Sequence, residues 1–249
     1  MNYKRVLIDE TGESHVLKDI EHDFHTKDGF LKKEDLKKKG WVKNSKGKTV
    51  FVCDPAVPDL FKKLNRHAQI MTLKDIGAIL AYCGINKNSV VADAGSGSGA
   101  IACIAGLIAK KVVTYDIDDR SIETTKKNIE LFDLKNVTVK KESIYEPQGT
   151  TKQKQQKPFA DVFTLDVPQP WDALLRVKEI LKSGGFLVSY SPHITQAQKM
   201  VVEAQQKGFI HLKTTETIER NWTLDENRAR PNFDALGHTG FLSFLRKVE

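Results

Sequence analysis

The residue types most able to do chemistry in this chain begin at Asp93-Ala94-Gly95-Ser96-Gly97-Ser98-Gly99, with a carboxylate further on at Asp116. The run follows the apolar stretch SVVAD and opens a helical stretch, AIACIAGLIA, the strand–turn–helix context that gives such a motif meaning. Glycines there let the backbone turn tightly and approach a ligand closely, with N–H groups aimed at its polar atoms. Asp116 ends a second apolar strand, KVVTYD, where a carboxylate can accept from both hydroxyls of a ribose. Two cofactors fit. Gly95, Gly97 and Ala100 satisfy the GxGxxA pattern of nicotinamide dinucleotides, and Asp93 ahead of the glycines satisfies the DxGxGxG of S-adenosylmethionine. The preceding acid favours the methyl donor; a dinucleotide and an unliganded tight turn stay open. A P-loop is excluded, because no lysine followed by Ser or Thr closes the run. After a third strand, NVTVK, Glu142 and Ser143 stand where a side chain meets an adenine ring; a solvent-facing turn is the equal alternative.

A second constellation ends the strand ADVFTLDV: Asp166-Val167-Pro168-Gln169-Pro170-Trp171. An apolar strand delivers Asp166 at its carboxyl end, and two prolines stiffen the loop behind it by fixing φ and removing donors. The competing reading, a helix cap and ordinary turn, is weaker because Asp166 stands too far before the next helical run to cap it. Methyl transfer is an in-line displacement, so a residue that aligns the acceptor with the donor supplies much of the rate.

These residues need a frame, and the chain from Ser89 onward supplies one. Strand-type and helix-type stretches alternate through WDALLRVKEILK, GGFLVSYS and ITQAQKMVVEAQQKG, and two late β-type stretches, FIHLKTTETI and HTGFLSFLRK, follow. Such alternation predicts a mostly parallel, doubly wound sheet with its ligand site at the carboxyl ends of the strands. We therefore expect an α/β domain over 89–249, a helical linker of one or two helices over 61–88, and a small β-rich domain over 1–60. The first part carries short β-type runs, KRVLI and KTVFVC, separated by turn signals, and DPAVP breaks its last strand. The polar insert QGTTKQKQQKP, 148–158, reads as a flexible loop.

The net charge of +7 suggests a polyanionic partner, and its distribution says more. Nine lysines against three acids lie between Lys27 and Lys48, including Lys32, Lys33, Lys37 and Lys38. A solvated lysine-rich surface and a phosphate-contacting face are both open readings. No stretch approaches the roughly 20 apolar residues that cross a bilayer, and the N-terminus shows no signal-peptide run. Cys53, Cys83 and Cys103 are scattered without metal-ligand spacing, which predicts a reducing, cytoplasmic setting and no metal site.

Across nearly its whole length the chain resembles the archaeal and bacterial tRNA adenine-N1 methyltransferases, the TrmI family. The likeness rests on HDFHTKDGFL, RHAQIMTLKDIGAIL, DAGSGSGA, LDVPQPW, SPHITQ and the terminal RPNFDALGHTGFLSFLRK. The glycine motif is shared by many methyltransferases; the DxPxPW loop and the RPxxxxxGHTGFL ending are far more specific. The resemblance implies a Rossmann-like class I S-adenosylmethionine methyltransferase fold and a homotetramer built as a dimer of dimers. It also implies tRNA as partner, with a T-loop adenine as acceptor, position 58 with or without its neighbour 57. Gly95, Gly97, Ser98 and Asp116 would hold the donor, Asp166 would stand at the methyl and base end, and His238, Thr239 and Trp171 would lie near the base pocket. On that reading Asp166 accepts a hydrogen bond from the adenine N6 amine, which enriches N1 and stabilises the cation that forms as it attacks. The target base would have to be extruded from its stack. The chain departs from the family pattern in three places. It has Thr72-Leu73 where the family often has Tyr-Pro before Lys-Asp, Asp116 where Glu is usual, and Ser143 in place of an Asp. Two rivals remain: another methyltransferase of the same fold, and a non-catalytic tRNA-binding subunit, which would lose the glycine loop or Asp166.

Overall fold

A computed structural model describes residues 3–67, 69–145, 157–233 and 236–248. The insert expected as a flexible loop lies outside the described residues, apart from Lys157 and Pro158. The chain divides into two compact units, one of residues 1–65 with 127–134, the other of residues 66–126 with 135–249.

In the first unit, strands β1 (Arg5–Asp9), β2 (Ser14–Leu17), β5 (Gly40–Lys43) and β6 (Thr49–Cys53) form an antiparallel sheet in the order β2-β1-β6-β5. Strands β3 (Phe24–Thr26) and β4 (Gly29–Leu31) form a separate hairpin, and α1 (Lys33–Leu36) follows it. Leu7, Leu17, Leu31, Leu36 and Val52 make the core, an apolar set supplied one each by β1, β2, β4, α1 and β6. Turn chemistry sets the register: Asn44 accepts from the backbone N–H groups of Lys46 and Lys48 through its side-chain oxygen, shaping the β5–β6 turn. The lysine run is thus divided among α1, β5 and a turn. Pro58 sits in the first turn of α2 (Val57–Phe61), where the missing N–H costs nothing, and Asp59 accepts from the Ala56 N–H.

The expected linker helix is only partly present. After α2 the described chain runs as turns and coil until α3 (Leu73–Tyr82). The reason is local: the Asn65 backbone is engaged by the Asn128 side chain, which accepts from its N–H at 2.9 Å and donates to its carbonyl at 2.8 Å.

The second unit holds a seven-stranded sheet. Its strands are β7 (Val90–Ala94), β8 (Lys111–Asp116), β9 (Val137–Lys141), β10 (Ala160–Leu165), β11 (Leu181–Ser191), β12 (Phe209–Glu216) and β15 (Phe241–Lys247), in the order β12-β15-β11-β10-β7-β8-β9. The five strands from β11 to β9 in this order pair in parallel, and β15 runs antiparallel between β11 and β12. Helices α4 (Ala100–Gly106), α5 (Asp119–Leu131), α6 (Leu174–Ile180) and α7 (Ile194–Gln206) make the crossovers. Every residue of α4 is buried; its Ala, Cys and Gly side chains are small enough for a helix covered on all sides. The order reverses at β7 and β10, which pair from Val91↔Val162 to Ala94↔Leu165, so their carboxyl ends open the crevice expected to bind a ligand. This is the α/β, Rossmann-like fold expected from the sequence, beside a small β-rich unit. A hairpin of β13 (Trp222–Asp225) and β14 (Arg228–Pro231) was not expected from the sequence.

Candidate functional site

Asp93, one residue before the end of β7, is buried, and sheet register explains how it is held there. Thr114 stands opposite it on β8 and Thr164 on β10, and each hydroxyl donates to one of its carboxylate oxygens, at 2.6 and 2.7 Å. Burial pushes the Asp93 carboxyl up to about 6, although both threonines pull the other way; the charge of Asp116 adds to the rise.

Beyond β7 the chain makes the close turn the glycines predict. The N–H groups of Gly95 and Ser96 both donate to the Tyr115 carbonyl, at 3.0 and 3.3 Å. Gly95 has φ +86°, and a Cβ there would stand 1.9 Å from the Asp166 carbonyl oxygen. Only glycine lets the loop after β7 meet the end of β10 so closely. Gly99 (φ +72°) opens α4 against the Thr125 side chain, 2.7 Å from where a Cβ would lie.

Asp116 ends β8 facing this loop. One carboxylate oxygen accepts from the Ser96 hydroxyl and the Gly97 N–H, both at 3.1 Å; the other accepts from the N–H groups of Ile117 and Asp118 at 2.8 and 3.0 Å. The carboxylate is oriented by the glycine loop itself. Ile117, next in the chain, is 62% exposed, an apolar face beside a carboxylate that suits a base attached to a ribose. Glu142 donates its N–H to the Asp116 carbonyl at 3.1 Å, and its side chain reaches Lys140 at 3.3 Å and the buried Arg176 at 3.7 Å. Ser143 accepts from the Tyr145 N–H at 3.3 Å, a turn-forming contact.

Asp166 follows β10 and is fixed by its own N–H, which donates to the Ala94 carbonyl at 2.9 Å. It is open to solvent at the strand end, yet hemmed in by protein. That partial desolvation, with the charge of Asp93 second, pushes its carboxyl up to about 7. The loop behind it is latched: Gln196 of α7 donates to the Pro168 carbonyl at 2.7 Å, and the Gln169 N–H donates to the Tyr145 hydroxyl at 3.4 Å. Trp171 packs against the core, with the Lys199 ammonium 4.0 Å from its ring centroid.

Thr239 is buried, where it donates to Asp75 at 2.8 Å and accepts from the Lys74 ammonium at 2.6 Å. Thr72 donates to the same Asp75 at 2.8 Å. Tyr190 joins this group by donating to the Thr239 carbonyl at 2.6 Å, with its ring against Gly240. Burial pushes its hydroxyl up to about 12, with the charges of Asp75 and Asp166 adding. Tyr190 is therefore an aromatic residue within electrostatic reach of Asp166. His238 is exposed and engaged on both nitrogens, by Glu216 at 2.5 Å and the Pro192 carbonyl at 2.8 Å; Glu216 foremost raises its pKa and favours the imidazolium.

Gly95 thus meets Asp166, and Ser96 and Gly97 bond Asp116, with Asp93 just ahead of them on β7, Ser98 and Gly99 in the same loop and the Glu142 N–H bonded to the Asp116 carbonyl. The chemistry is a cradle of backbone, a diol-accepting carboxylate and two anionic groups deeper in the crevice, which suits a nucleoside carrying a positive charge. Sequence reasoning missed Thr114, Thr164, Tyr190, Gln196 and the Lys74–Asp75 pair, all defined by pairing or packing across distant segments. Ile117 could have been found, as an apolar residue directly after the predicted ribose acid. The lysines of α1 lie in the other unit: Lys37 pairs with Glu21 at 2.6 Å, Lys38 with Asp35 at 2.8 Å, and the Lys33 N–H donates to Asp23. Lys32 precedes α1, and its carbonyl accepts the first turn's N–H groups. Among the described residues no cluster of His, Cys, Asp and Glu is arranged to hold a metal ion, and no helix is long and apolar enough to cross a membrane.

The chain is similar to known proteins along almost all of its length. It is 30% identical to the tRNA (adenine(57)-N(1)/adenine(58)-N(1))-methyltransferase TrmI of Methanocaldococcus jannaschii, over 97% of this chain and 94% of that one. It is 27% identical to the tRNA (adenine(58)-N(1))-methyltransferase TrmI of Thermus thermophilus, over 90% and 88%. The crystal structure of a SAM-dependent O-methyltransferase from Thermotoga maritima superposes with a TM-score of 0.87 at 25% identity, covering 100% of this chain and 94% of that one. Residues 48–231 match the model of the tRNA methyltransferase complex GCD14 subunit family, and the chain belongs to that family.

Proposed function

We propose that this protein transfers the methyl group of S-adenosylmethionine to N1 of an adenine in the T-loop of tRNA, at position 58. Adenine 57 is a second candidate acceptor, since the archaeal relative is named for both positions and the Thermus relative for 58 alone. The observation that carries the reading is the contact of the Gly95 backbone with the Asp166 backbone, where a Cβ at Gly95 would meet the Asp166 carbonyl. That backbone approach supports reading Asp166 and the glycine loop as the acceptor and donor sides of one site. Bound S-adenosylmethionine supplies an electrophilic methyl group and a positive charge.

The chain's residues do the rest. Asp116, held by Ser96 and Gly97, accepts from the ribose hydroxyls, and Ile117 covers the adenine of the donor. Asp93 and Asp166 favour a cation between them. Asp166, ionised, accepts from the N6 amine of the target adenine, aims N1 and stabilises the charge that N1 acquires. No proton has to leave before the methyl arrives. Tyr190 and Thr239 wall the acceptor side, with Trp171 and His238 at its margin, and the extruded base exchanges its stack for these contacts. Lys32, Lys33, Lys37 and Lys38 contact phosphates; the pairs of Lys37 with Glu21 and Lys38 with Asp35 are surface ion pairs, which are weak, so their exchange for phosphate costs little.

A homotetramer, as dimer of dimers, is part of this proposal. Trp222, Leu224 and Phe233, at 53%, 74% and 87% exposure on and beside the β13–β14 hairpin, form an apolar surface of the kind that subunits cover. The free thiols of Cys53, Cys83 and Cys103 and a tRNA substrate suit the cytoplasm. The test is transfer of labelled methyl from S-adenosylmethionine to unmodified tRNA, with analysis of the product nucleosides. Labelled 1-methyladenosine is expected; a ribose-O-methylated nucleoside, or no transfer to tRNA by a donor-binding protein, would overturn the reading.

A further inference from the structure

A cavity of about 490 Å³ lies within the N-terminal unit, and its lining includes none of the donor-site residues. Its size falls in the roughly 300–1,000 Å³ range of small-ligand pockets. Leu7 and Val50, at the edge of the unit's core, give it apolar walls. Two ring pairs add flat surface: His15 with Phe24 at 5.6 Å between centroids, and His25 with Phe30 at 5.3 Å.

The remaining lining comes from three turns, joining β1 to β2, β3 to β4 and β5 to β6. They bring Lys27, whose side chain is 78% exposed, and Lys48, 61% exposed and paired with Asp28 at 2.7 Å. They also bring Glu13, whose carboxylate reaches Lys27 only at 3.8 Å and His15 at 3.9 Å, beyond hydrogen-bonding distance. Aromatic faces inside, a loosely held carboxylate and lysines outside match a nucleotide entering base first. The rings stack the base, the carboxylate accepts from an exocyclic amine, and the ammonium groups meet the flanking phosphates. Asp9 and Glu10 in the same lining repel a phosphate that enters first.

We propose that this cavity binds one unpaired, amine-bearing base of the RNA substrate, a second base site apart from the one that methylates. The proposal rests on the tRNA reading given above. Stacked bases lose at least about fivefold in affinity when the aromatic partner is cut to alanine. The experiment measures binding of unmodified tRNA, and of short single-stranded oligocytidylate, oligoadenylate and oligouridylate, to the full-length protein. His25→Ala and Phe30→Ala should each weaken tRNA and oligonucleotide binding at least about fivefold. His25 is exposed, so that variant should keep the wild-type melting temperature and donor affinity. Glu13→Ala, which removes the acceptor, should erase a preference of the wild type for the cytosine and adenine oligomers over uracil. If the wild type binds tRNA and all three variants match it, the cavity proposal is overturned alone. A wild type that binds no tRNA overturns the tRNA reading, and this proposal with it.

Discussion

In Gly95→Ala the new methyl would stand 1.9 Å from the Asp166 carbonyl oxygen and 2.8 Å from its carbonyl carbon. Both obstacles are backbone, tied to β7 by the Asp166 N–H to Ala94 carbonyl bond, so neither can swing aside. Reaching an ordinary contact of 3.4 Å requires the two strand ends to part by about 1.5 Å. Alanine at φ +86° adds about 1–2 kcal/mol of backbone strain, and overpacking about 1–3 kcal/mol more. At roughly 2–4 °C per kcal/mol, the melting temperature should fall by about 4–20 °C. The kinetic loss should be larger in proportion, because misplacing a catalytic group by about 1 Å costs about 10²-fold in rate. Single-turnover methyl transfer, donor titration by calorimetry and thermal melts measure the three effects. Gly97→Ala is the control: at φ +53° with no atom beyond its own loop in the way, it should show the strain without the displacement of Asp166. Wild-type turnover in Gly95→Ala, or equal damage in both variants, would refute the argument that this contact sets the geometry of Asp166.

Other consequences follow from charge. With the Asp166 carboxyl at about 7, kcat/KM for tRNA should rise with pH and level off above that value, because only the ionised form accepts from N6; saturating cationic donor should move the limb to lower pH, and Asp166→Asn should abolish it. Asp93 has a folded pKa of about 6 against 3.8 unfolded, so the folded state holds the proton more tightly. Its stabilising effect is complete below 3.8 and is lost, by about 3 kcal/mol, as pH rises through 6. Asp93→Asn should therefore flatten the decline of melting temperature between those values, and a slope equal to that of the wild type would contradict the assignment. Replacing Lys32, Lys33, Lys37 and Lys38 by alanine should weaken all tRNAs alike and lower the salt slope by about 0.7–0.9 for each phosphate no longer neutralised, read by filter binding across salt.

Much of the donor side is legible in the sequence because it is local. Asp93 through Gly99 is one turn between a strand and a helix, and Asp116 is the last residue of the next strand. The parallel sheet follows from alternation, which is also a local pattern. The rest of the candidate site is written in pairings that no local pattern encodes. Thr114 and Thr164 are ordinary strand threonines until the register of β8 and β10 puts them on either side of Asp93. Lys74 and Asp75 look like the charged first turn of a helix, yet their partner, Thr239, comes from the far end of the chain. The linker departs from expectation for the same reason: apolar spacing suggests helix through Asn65, but Asn128 claims that backbone. The β13–β14 hairpin escapes notice because its strands, WTLD and RARP, are mostly exposed, with no core face to mark them.

The central claim is that Asp166 acts through the N6 amine of the adenine whose N1 is methylated. The most direct test compares single-turnover methylation of tRNA carrying adenosine or purine riboside at the target position, by the wild type and by Asp166→Ala. Losing the amine and losing the carboxylate should each slow transfer by about 10²–10³-fold. Losing both should be little worse than losing either, since each removes the same hydrogen bond. Donor affinity should be unchanged by the substitution in the tRNA and lower in Asp166→Ala, so transfer is compared at saturating donor. Purine riboside methylated by the wild type as fast as adenosine, or losses that multiply in full, would contradict the account.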